Sequence, residues 1–310
     1  MHSPSTDHEA WISLALPTLG VVVLVLAGAC LIAGSRARRV VGITVALTSL
    51  LLPWLMPQDL LLTRALLSLC ATLGCIRAID LLKLSWPAPR RLVHVLSGVD
   101  TRRLVRGPPR LLAVPLIQGL SWQALALLGY LVLITPEPRG TLIFWLARWG
   151  SVGVMAYAGV SAGYALVRVV YSLLGWTTPV LHDLPLRARS VQELWGQRWA
   201  RLVSTWLAET VFRPWARRKR PGLGALLAFF GSAAFHAYGV WVALGFVRGA
   251  SMAACMFGYF IVQAGVMGVE RVMGVRRWLP WAGHTWTVFW MLLTAPMFVE
   301  PAARVLGQAP

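Results

Sequence analysis

Charge is what this sequence has least of. Of its 310 residues only 13% are Asp, Glu, Lys or Arg, about half the ~25% usual in soluble domains. Acidic side chains are scarcest: 11, against 29 Lys and Arg, for a formal net charge of +18. A chain with so few charges does not turn most of its surface to water, which excludes an ordinary soluble enzyme. Cysteine is sparse as well. Cys30, Cys70, Cys75 and Cys255 all lie in apolar stretches, and none stands at zinc-ligand spacing from another Cys or His. That excludes a disulfide framework and a Cys/His metal site, and the four read as small buried hydrophobes. No histidine pair has metal-ligand spacing either, so no metal and no bound cofactor is expected. The chain has no G-x-S-x-G, no H-E-x-x-H, and no phosphate loop or dinucleotide fingerprint. It has no convincing strand to carry one. Covalent and nucleotide-driven mechanisms drop out. The basic excess comes without a base-stacking or groove-reading module, so a nucleic-acid partner drops out too.

What is abundant is hydrophobicity, 57% of all residues. Apolar runs fall at about 11–33, 40–56, 60–82, 111–134, 142–175, 223–247, 252–269 and 282–306. Runs of this length read as membrane-spanning helices. The first is too long for the core of a signal peptide and is followed by Ser35-Arg36-Ala37-Arg38-Arg39, so it reads as a span. The fold class is therefore all-α: a polytopic membrane protein of about eight spans, with interfacial amphipathic helices. No room remains for a separate soluble domain. The chain reads as one membrane-embedded domain, 1–310, with N-terminal spans in 1–175, a cytosolic interfacial segment at 176–222 and C-terminal spans in 223–310.

Charge fixes the number of crossings. The run 142–175 is long enough for one protruding helix or two short ones. Read as one helix, it puts loops 34–39, 83–110, 176–222 and 270–281 on one side, and these hold 22 of the 29 basic residues. The opposite side then holds only Arg139 and Arg248. Basic loops stay in the cytosol, so the single helix is expected, with both termini outside the cytosol. An integral protein of a bacterial inner membrane fits this pattern.

Two loops carry helical signals. Residues 190–213 place Val191, Leu194, Trp195, Trp199, Leu202, Val203, Trp206, Leu207 and Val211 on one face. An amphipathic helix lying in the membrane interface is expected there. Ser190 and Glu193 form a capping box at its start, and Pro214 is expected to end it. A second short interfacial helix is expected around Arg90–Leu104.

Among candidate chemical groups, His236 stands out. It lies near the middle of an apolar span, in Phe229-Phe230-Gly231-Ser232-Ala233-Ala234-Phe235-His236-Ala237-Tyr238. An ionisable residue at bilayer depth is costly and is a functional candidate by default. Imidazole is the usual base near neutral pH, and burial keeps it neutral and able to accept a proton. The competing reading is a structural histidine bonded to Ser232 or to another helix. His284 lies near a span end, and His94 and His182 are expected in cytosolic loops.

Taken together, Ser190-Val-Gln-Glu-Leu-Trp-Gly-Gln-Arg-Trp199, Val203-Ser204 and Val211-Phe212-Arg213-Pro214 resemble the wax-synthase branch of the membrane-bound O-acyltransferases. That branch carries S-x-x-[DE]-F-W-G-R-R-W-N-x-x-V-S and a V-[YF]-x-P ending, followed in a later span by F-x-x-S-x-x-x-H. Phe229, Ser232 and His236 fit the last pattern, and Trp286–Pro301 resembles the branch's last span. The resemblance covers about residues 179–306. It implies transfer of an acyl group from acyl-CoA, as co-substrate, to the hydroxyl of a hydrophobic alcohol such as a fatty alcohol, a diglyceride or a hydroxylated natural product. His236 is then the base. Trp195, Gln197, Arg198, Trp199, Ser232 and Tyr238 are the expected substrate contacts. Arg217, Arg218, Lys219 and Arg220 are expected to attract the CoA phosphates. The sequence departs from the pattern at Ala200, where the branch has a polar asparagine; Gln197 or Arg198 is the nearest group to take that part. The alternatives are a carbohydrate or cell-envelope O-acetylase of the same superfamily, an inactive scaffold, or a transporter. Transporters commonly show repeated halves, and no repeat is found here.

Overall fold

A computed structural model of the chain describes residues 4–97, 99–107, 112–135 and 140–307. Arg110 and Arg139 of the charge pattern lie outside these residues. Twelve α-helices occur among the described residues: α1 Pro4–Leu31, α2 Arg36–Thr48, α3 Leu61–Asp80, α4 Ala88–Leu96, α5 Ala113–Ile134, α6 Leu142–Leu173, α7 Val191–Glu193, α8 Arg201–Leu207, α9 Arg213–Arg217, α10 Pro221–Leu244, α11 Phe246–Met273 and α12 Pro280–Val305. Eight stretches are long and apolar enough to cross a membrane: Trp11–Leu31, Arg36–Leu55, Leu61–Lys83, Ala113–Ile134, Leu142–Leu173, Pro221–Leu244, Phe246–Met273 and Pro280–Val305. Their number and order are those expected. Large apolar side chains such as Leu16, Leu120 and Leu292 stand exposed along them, as they do where hydrocarbon is the solvent. The protein is a polytopic integral membrane protein.

The disputed run is one helix. α6 has 32 residues, about 48 Å at 1.5 Å per residue. The Thr141 hydroxyl caps its start by accepting from Phe144 N–H at 3.1 Å. Gly175, at φ +75°, takes the chain out of it, the usual work of a residue without Cβ after a helix end. The second span is composite, α2 continuing as a 3₁₀ segment over Ser49–Leu55.

Several local expectations are corrected. The helix near Arg90–Leu104 is shorter: α4 ends at Leu96, and only a 3₁₀ turn follows, at Thr101–Arg103. A small antiparallel ribbon is present, β1 (Val105–Arg106) against β2 (Trp176–Thr177). Of the cysteines only Cys75 is buried; Cys30 and Cys70 are exposed and Cys255 is half-buried.

The residues pack as two compact units. The first comprises residues 4–101, 235–254 and 304–307. Its apolar core includes Val21, Val25, Ala29, Ala46, Leu67, Ala71 and Ala78. Gly28 and Gly42 let α1 and α2 approach closely: a Cβ on Gly28 would stand 2.6 Å from the Gly42 carbonyl oxygen. Small residues at such crossings are the membrane solution to helix packing. His94 belongs to this core. It is fully buried, with Nδ1 at 2.7 Å from Thr101 Oγ1 and Nε2 at 3.7 Å from Asp80 Oδ2, on α4 in the segment between the spans Leu61–Lys83 and Ala113–Ile134.

The second unit comprises residues 102–234 and 255–303. α5 packs along α6, with Gly129 close against Met155 and Ser151. Arg148 of α6 is buried and donates to both carboxylate oxygens of Glu300 on α12, at 2.9 and 3.2 Å. Bidentate pairing satisfies a cation that would otherwise be costly at membrane depth.

Candidate active site

The segment between α6 and α10 is where the backbone departs most from regularity. After Gly175 the chain doubles back. Trp176 and Thr177 pair with β1, and the Tyr164 hydroxyl donates to the Pro179 carbonyl. The His182 ring then stacks on Tyr157, centroids 5.1 Å apart. Tyr164 and Tyr157 are two turns apart on one face of α6. The segment thus runs back along its own helix, and His182 sits beside a point about 24 Å from the C-terminal end of α6. His182 is in irregular backbone between two spans, as expected, but it is packed against α6 and not open to water.

Past this point comes the stretch expected to form one amphipathic helix. The capping box forms in part. Ser190 Oγ accepts from Glu193 N–H at 2.9 Å, while the Glu193 carboxylate reaches one residue further back, to Arg189 N–H at 2.8 Å. The helix itself is interrupted. After α7, residues 194–198 adopt π geometry, marked by Trp199 N–H bonding Leu194 C=O at 2.8 Å. Ala200 then takes left-handed angles, φ 40° and ψ 50°, before α8 resumes. A second π segment spans Ala208–Phe212 and leads into α9. Pro214 does not end the helix. It sits in the first turn of α9, where a missing N–H costs nothing.

The start of the segment and the break at Ala200 are each held by side-chain and backbone partners. Glu270 of α11 is buried, and its two carboxylate oxygens accept from Val191 N–H at 2.6 Å and Gln192 N–H at 2.9 Å. Its Oε1 also accepts from Trp286 Nε1 at 3.0 Å. A carboxylate at a helix start satisfies donors that have no partner within the helix. The backbone around Ala200 is clamped to the returning segment: Asp183 N–H bonds Arg198 C=O and Arg201 N–H bonds Leu181 C=O, both at 2.8 Å. Ala200 N–H, turned out of the helical ladder, donates to His182 Nδ1 at 3.1 Å. The His182 ring also meets Trp199, centroids 4.6 Å apart, and Trp199 is itself 5.7 Å from Tyr157. Burial lowers the His182 pKa to about 4, so the ring is neutral near pH 7. Because Nδ1 accepts, the single ring proton is on Nε2. That atom is buried and has no hydrogen-bond partner among the described residues.

The expected site residues divide between the units. In the second unit, the Trp195 ring meets Phe229, Tyr259 and Phe260, and its Nε1 donates to Gln263 Oε1 at 3.4 Å. Gln263 is itself buried and donates to Thr294 Oγ1 at 2.8 Å. Arg198 is paired, donating to Glu193 Oε1 at 2.7 Å and to the Asp183 carbonyl at 3.0 Å. Gln197 is exposed and Ser232 half-buried. Arg217 at the end of α9 and Arg218, Lys219 and Arg220 in the turn before α10 are all exposed, with Arg218 over the Trp215 ring at 5.3 Å. In the first unit, His236 is half-buried with its ring edge-on to Phe235 at 4.9 Å. The Tyr238 hydroxyl donates to the Leu50 carbonyl. Phe229, Ser232 and His236 fall at i, i+3 and i+7 of α10, one stripe of that helix.

The sequence reading passed over Glu270, Gln263, Thr294 and His182. Glu270 fell just past the apolar run drawn at 252–269, although a lone carboxylate at a span end was a visible signal. Gln263 and Thr294 were visible only as polar residues inside apolar runs.

Residues 178–261 match the family model of the membrane bound O-acyl transferase family. The match supports placement in the membrane-bound O-acyltransferase superfamily. It spans His182, the interrupted helix, the basic turn, α10 with His236, and α11 as far as Ile261. No curated protein matches the chain. The superfamily implies O-acyl transfer at a membrane, and it fits an eight-span protein that buries polar side chains around this segment.

Proposed function

We propose that this protein transfers an acyl group from acyl-CoA to the hydroxyl of a hydrophobic alcohol, in the manner of the wax-synthase-like branch, with His236 as general base. The observation that carries the reading is the O-acyltransferase segment at 178–261, which brackets the only histidine of α10. In the proposed step His236 takes the hydroxyl proton as the oxygen attacks the thioester carbonyl. The C–S bond then breaks, and the proton passes to the departing thiolate. This chemistry asks for a positioned alcohol and a proton acceptor. Tyr238, held by Leu50, fixes the rotation of α10 and hence the direction of His236. Trp195 and Trp199 shape the mouth, with Arg198 and Ser232 beside it. The exposed cations Arg217, Arg218, Lys219 and Arg220 draw the CoA phosphates from the cytosol.

The test is purified protein in nanodiscs with labelled acyl-CoAs, from acetyl to palmitoyl, and lipid extracts. His236→Ala should lower transfer by about 10²- to 10⁴-fold, the contribution typical of a general base. His236→Gln, which hydrogen-bonds but takes no proton, should be equally inactive. His284→Ala should retain most activity. Wild-type-like transfer by His236→Ala overturns the assignment.

A further inference from the structure

We infer that the end of the first unit carrying α4 binds the headgroup phosphate of an anionic glycerophospholipid from the surrounding leaflet. The inference does not depend on the acyltransferase reading; it rests on charge, burial and side-chain type around one short helix. α4 packs against α1 and α3. Its Val95 shares an apolar cluster with Ile32, just past α1, and Leu81, just past α3, and Leu84 and Trp86 pack against the same cluster. The basic turn at 34–39, the segment after α3 and α4 itself therefore surround one apolar knot. Arg36, Arg38, Arg39, Lys83 and Arg90 are all exposed there. The described acids of this unit at that end, Asp80 and Asp100, are both buried. Its other acids, Asp7, Glu9 and Asp59, belong to the starts of α1 and α3, at the opposite end of those helices. The exposed charge around α4 is thus of one sign.

α4 is also inverted relative to a helix in water. Its inner face carries Arg91 and His94, both buried, while Val93 and Leu96 stand exposed three residues apart on the outer face, with Leu82 exposed nearby in sequence. Arg91 is only 8% exposed, and its Nε and Nη1 have no hydrogen-bond acceptor among the described residues. A buried cation without a counter-charge is costly and weakly screened by salt, so it favours an anion held at the edge of its helix. Arg90, one turn before Val93, lies over the Trp86 ring at 4.0 Å. Cations, an indole and exposed aliphatic side chains therefore share one small surface. A helix in the interface sets its apolar side chains at the boundary of headgroups and acyl chains, and Trp is enriched at that level. A phosphate that carries acyl chains meets both the cations and the aliphatic face. The phosphates of CoA, borne on a water-soluble nucleotide, meet only the cations.

The test is native mass spectrometry of the full-length protein titrated with dioleoylphosphatidylglycerol or dioleoylphosphatidylcholine, which differ only in headgroup. The wild type should bind the phosphatidylglycerol at least about tenfold more tightly, and the preference should shrink as salt is raised. Each cation near an anionic lipid is expected to contribute up to about fivefold in affinity. Arg38→Gln/Lys83→Gln/Arg90→Gln should therefore weaken phosphatidylglycerol by at least about tenfold and leave phosphatidylcholine unchanged. Arg276→Gln/Arg277→Gln, which removes exposed cations of the second unit, should keep the full preference. Val93→Ser/Leu96→Ser should weaken both lipids alike. All these side chains are exposed, so thermal unfolding without added lipid should match the wild type. If the triple variant fails to do so, Arg90→Gln alone decides, with an expected loss of about fivefold. Equal binding of the two lipids by the wild type overturns the inference. So does wild-type binding of phosphatidylglycerol by the deciding variant, or an equal loss in Arg276→Gln/Arg277→Gln. A deciding variant that loses CoA as strongly as phosphatidylglycerol also overturns it, because the surface would then serve a soluble phosphate.

Discussion

From Pro221 to Leu244, α10 keeps a single hydrogen-bond pattern, while between Trp176 and Arg217 the backbone passes through strand, 3₁₀, α and π geometry. Each region presents one histidine of interest, and the two are held in different ways. His236 takes its position from the regular helix it sits on, and from neighbours such as Phe235. His182 takes its position from contacts distant in sequence: Tyr157, Trp199 and Ala200. A regular helix tolerates change along most of its length. An irregular segment is only as sound as each contact that closes it, so substitutions of the same kind should differ in effect between the two regions.

The largest difference is expected at Glu270. Its carboxylate closes the start of the interrupted segment by accepting from Val191 N–H, Gln192 N–H and Trp286 Nε1. Glu270→Ala would leave the buried Val191 N–H, and the partly buried donors of Gln192 and Trp286, without this acceptor, at about 1–3 kcal/mol for a buried donor. A loss of about 3 kcal/mol or more is expected, read as a fall of many degrees in thermal unfolding in detergent. Ser232→Ala, in the regular region, should change stability by about 1 kcal/mol or less. Equal losses at the two positions would erase the distinction.

How much of this was legible follows the same line. The eight spans, the single long α6 and the polar interruption at His236 were readable because apolar runs and a lone imidazole are local signals. The capping box was readable for the same reason, down to the bond from Glu193 N–H to Ser190 Oγ. The break at Ala200 was not. The apolar spacing from Val191 to Val211 is real, but a 3.6-residue period does not register one i→i−5 bond or one left-handed alanine. Nor does any local pattern say that the chain after Gly175 folds back along α6. That path is fixed by the Tyr164–Pro179 and Tyr157–His182 contacts, which hydropathy does not encode. Ala200 thus looked like a lost polar group, while the histidine bonded to its backbone lay eighteen residues upstream.

A smaller effect should appear in acid. Burial lowers the His182 pKa to about 4, against 6.5 for the free group. Between those values the unfolded chain binds the proton and the folded one does not, so stability falls as pH drops from about 6.5 towards 4. Glu193 acts lower down. Burial raises its pKa, but the Arg189 N–H and the Arg198 guanidinium outweigh that and hold it below the ordinary value. Its contribution is complete above the unfolded pKa of about 4.3 and is lost as pH falls through the folded value. His182→Asn should therefore flatten the thermal-stability curve between pH 6.5 and 4. Glu193→Gln should flatten it only below about pH 4.3. An unchanged slope in both variants would mean that this segment is not what titrates.

The finest test is one substitution made in both regions. Gly in a regular helix costs about 0.5–1 kcal/mol relative to Ala, because it loses more backbone freedom on folding. In left-handed geometry the sign turns, since an L residue there crowds its own carbonyl at about 1–2 kcal/mol and glycine does not. Ala234 lies exposed in the middle of α10, and Ala200 sits at φ 40°. Ala234→Gly should lower thermal stability by about 0.5–1 kcal/mol. Ala200→Gly should leave it unchanged or raise it by up to about 1 kcal/mol, the relief of strain exceeding the added entropy of the unfolded chain. Ala200→Asn should behave similarly, because asparagine also tolerates left-handed angles, and it should preserve or raise acyl transfer. β-Branched Ala200→Val should be destabilising. If Ala200→Gly instead lowers stability as Ala234→Gly does, the helix runs unbroken through position 200, its N–H bonds within the ladder, and the hold on His182 Nδ1 is lost with it.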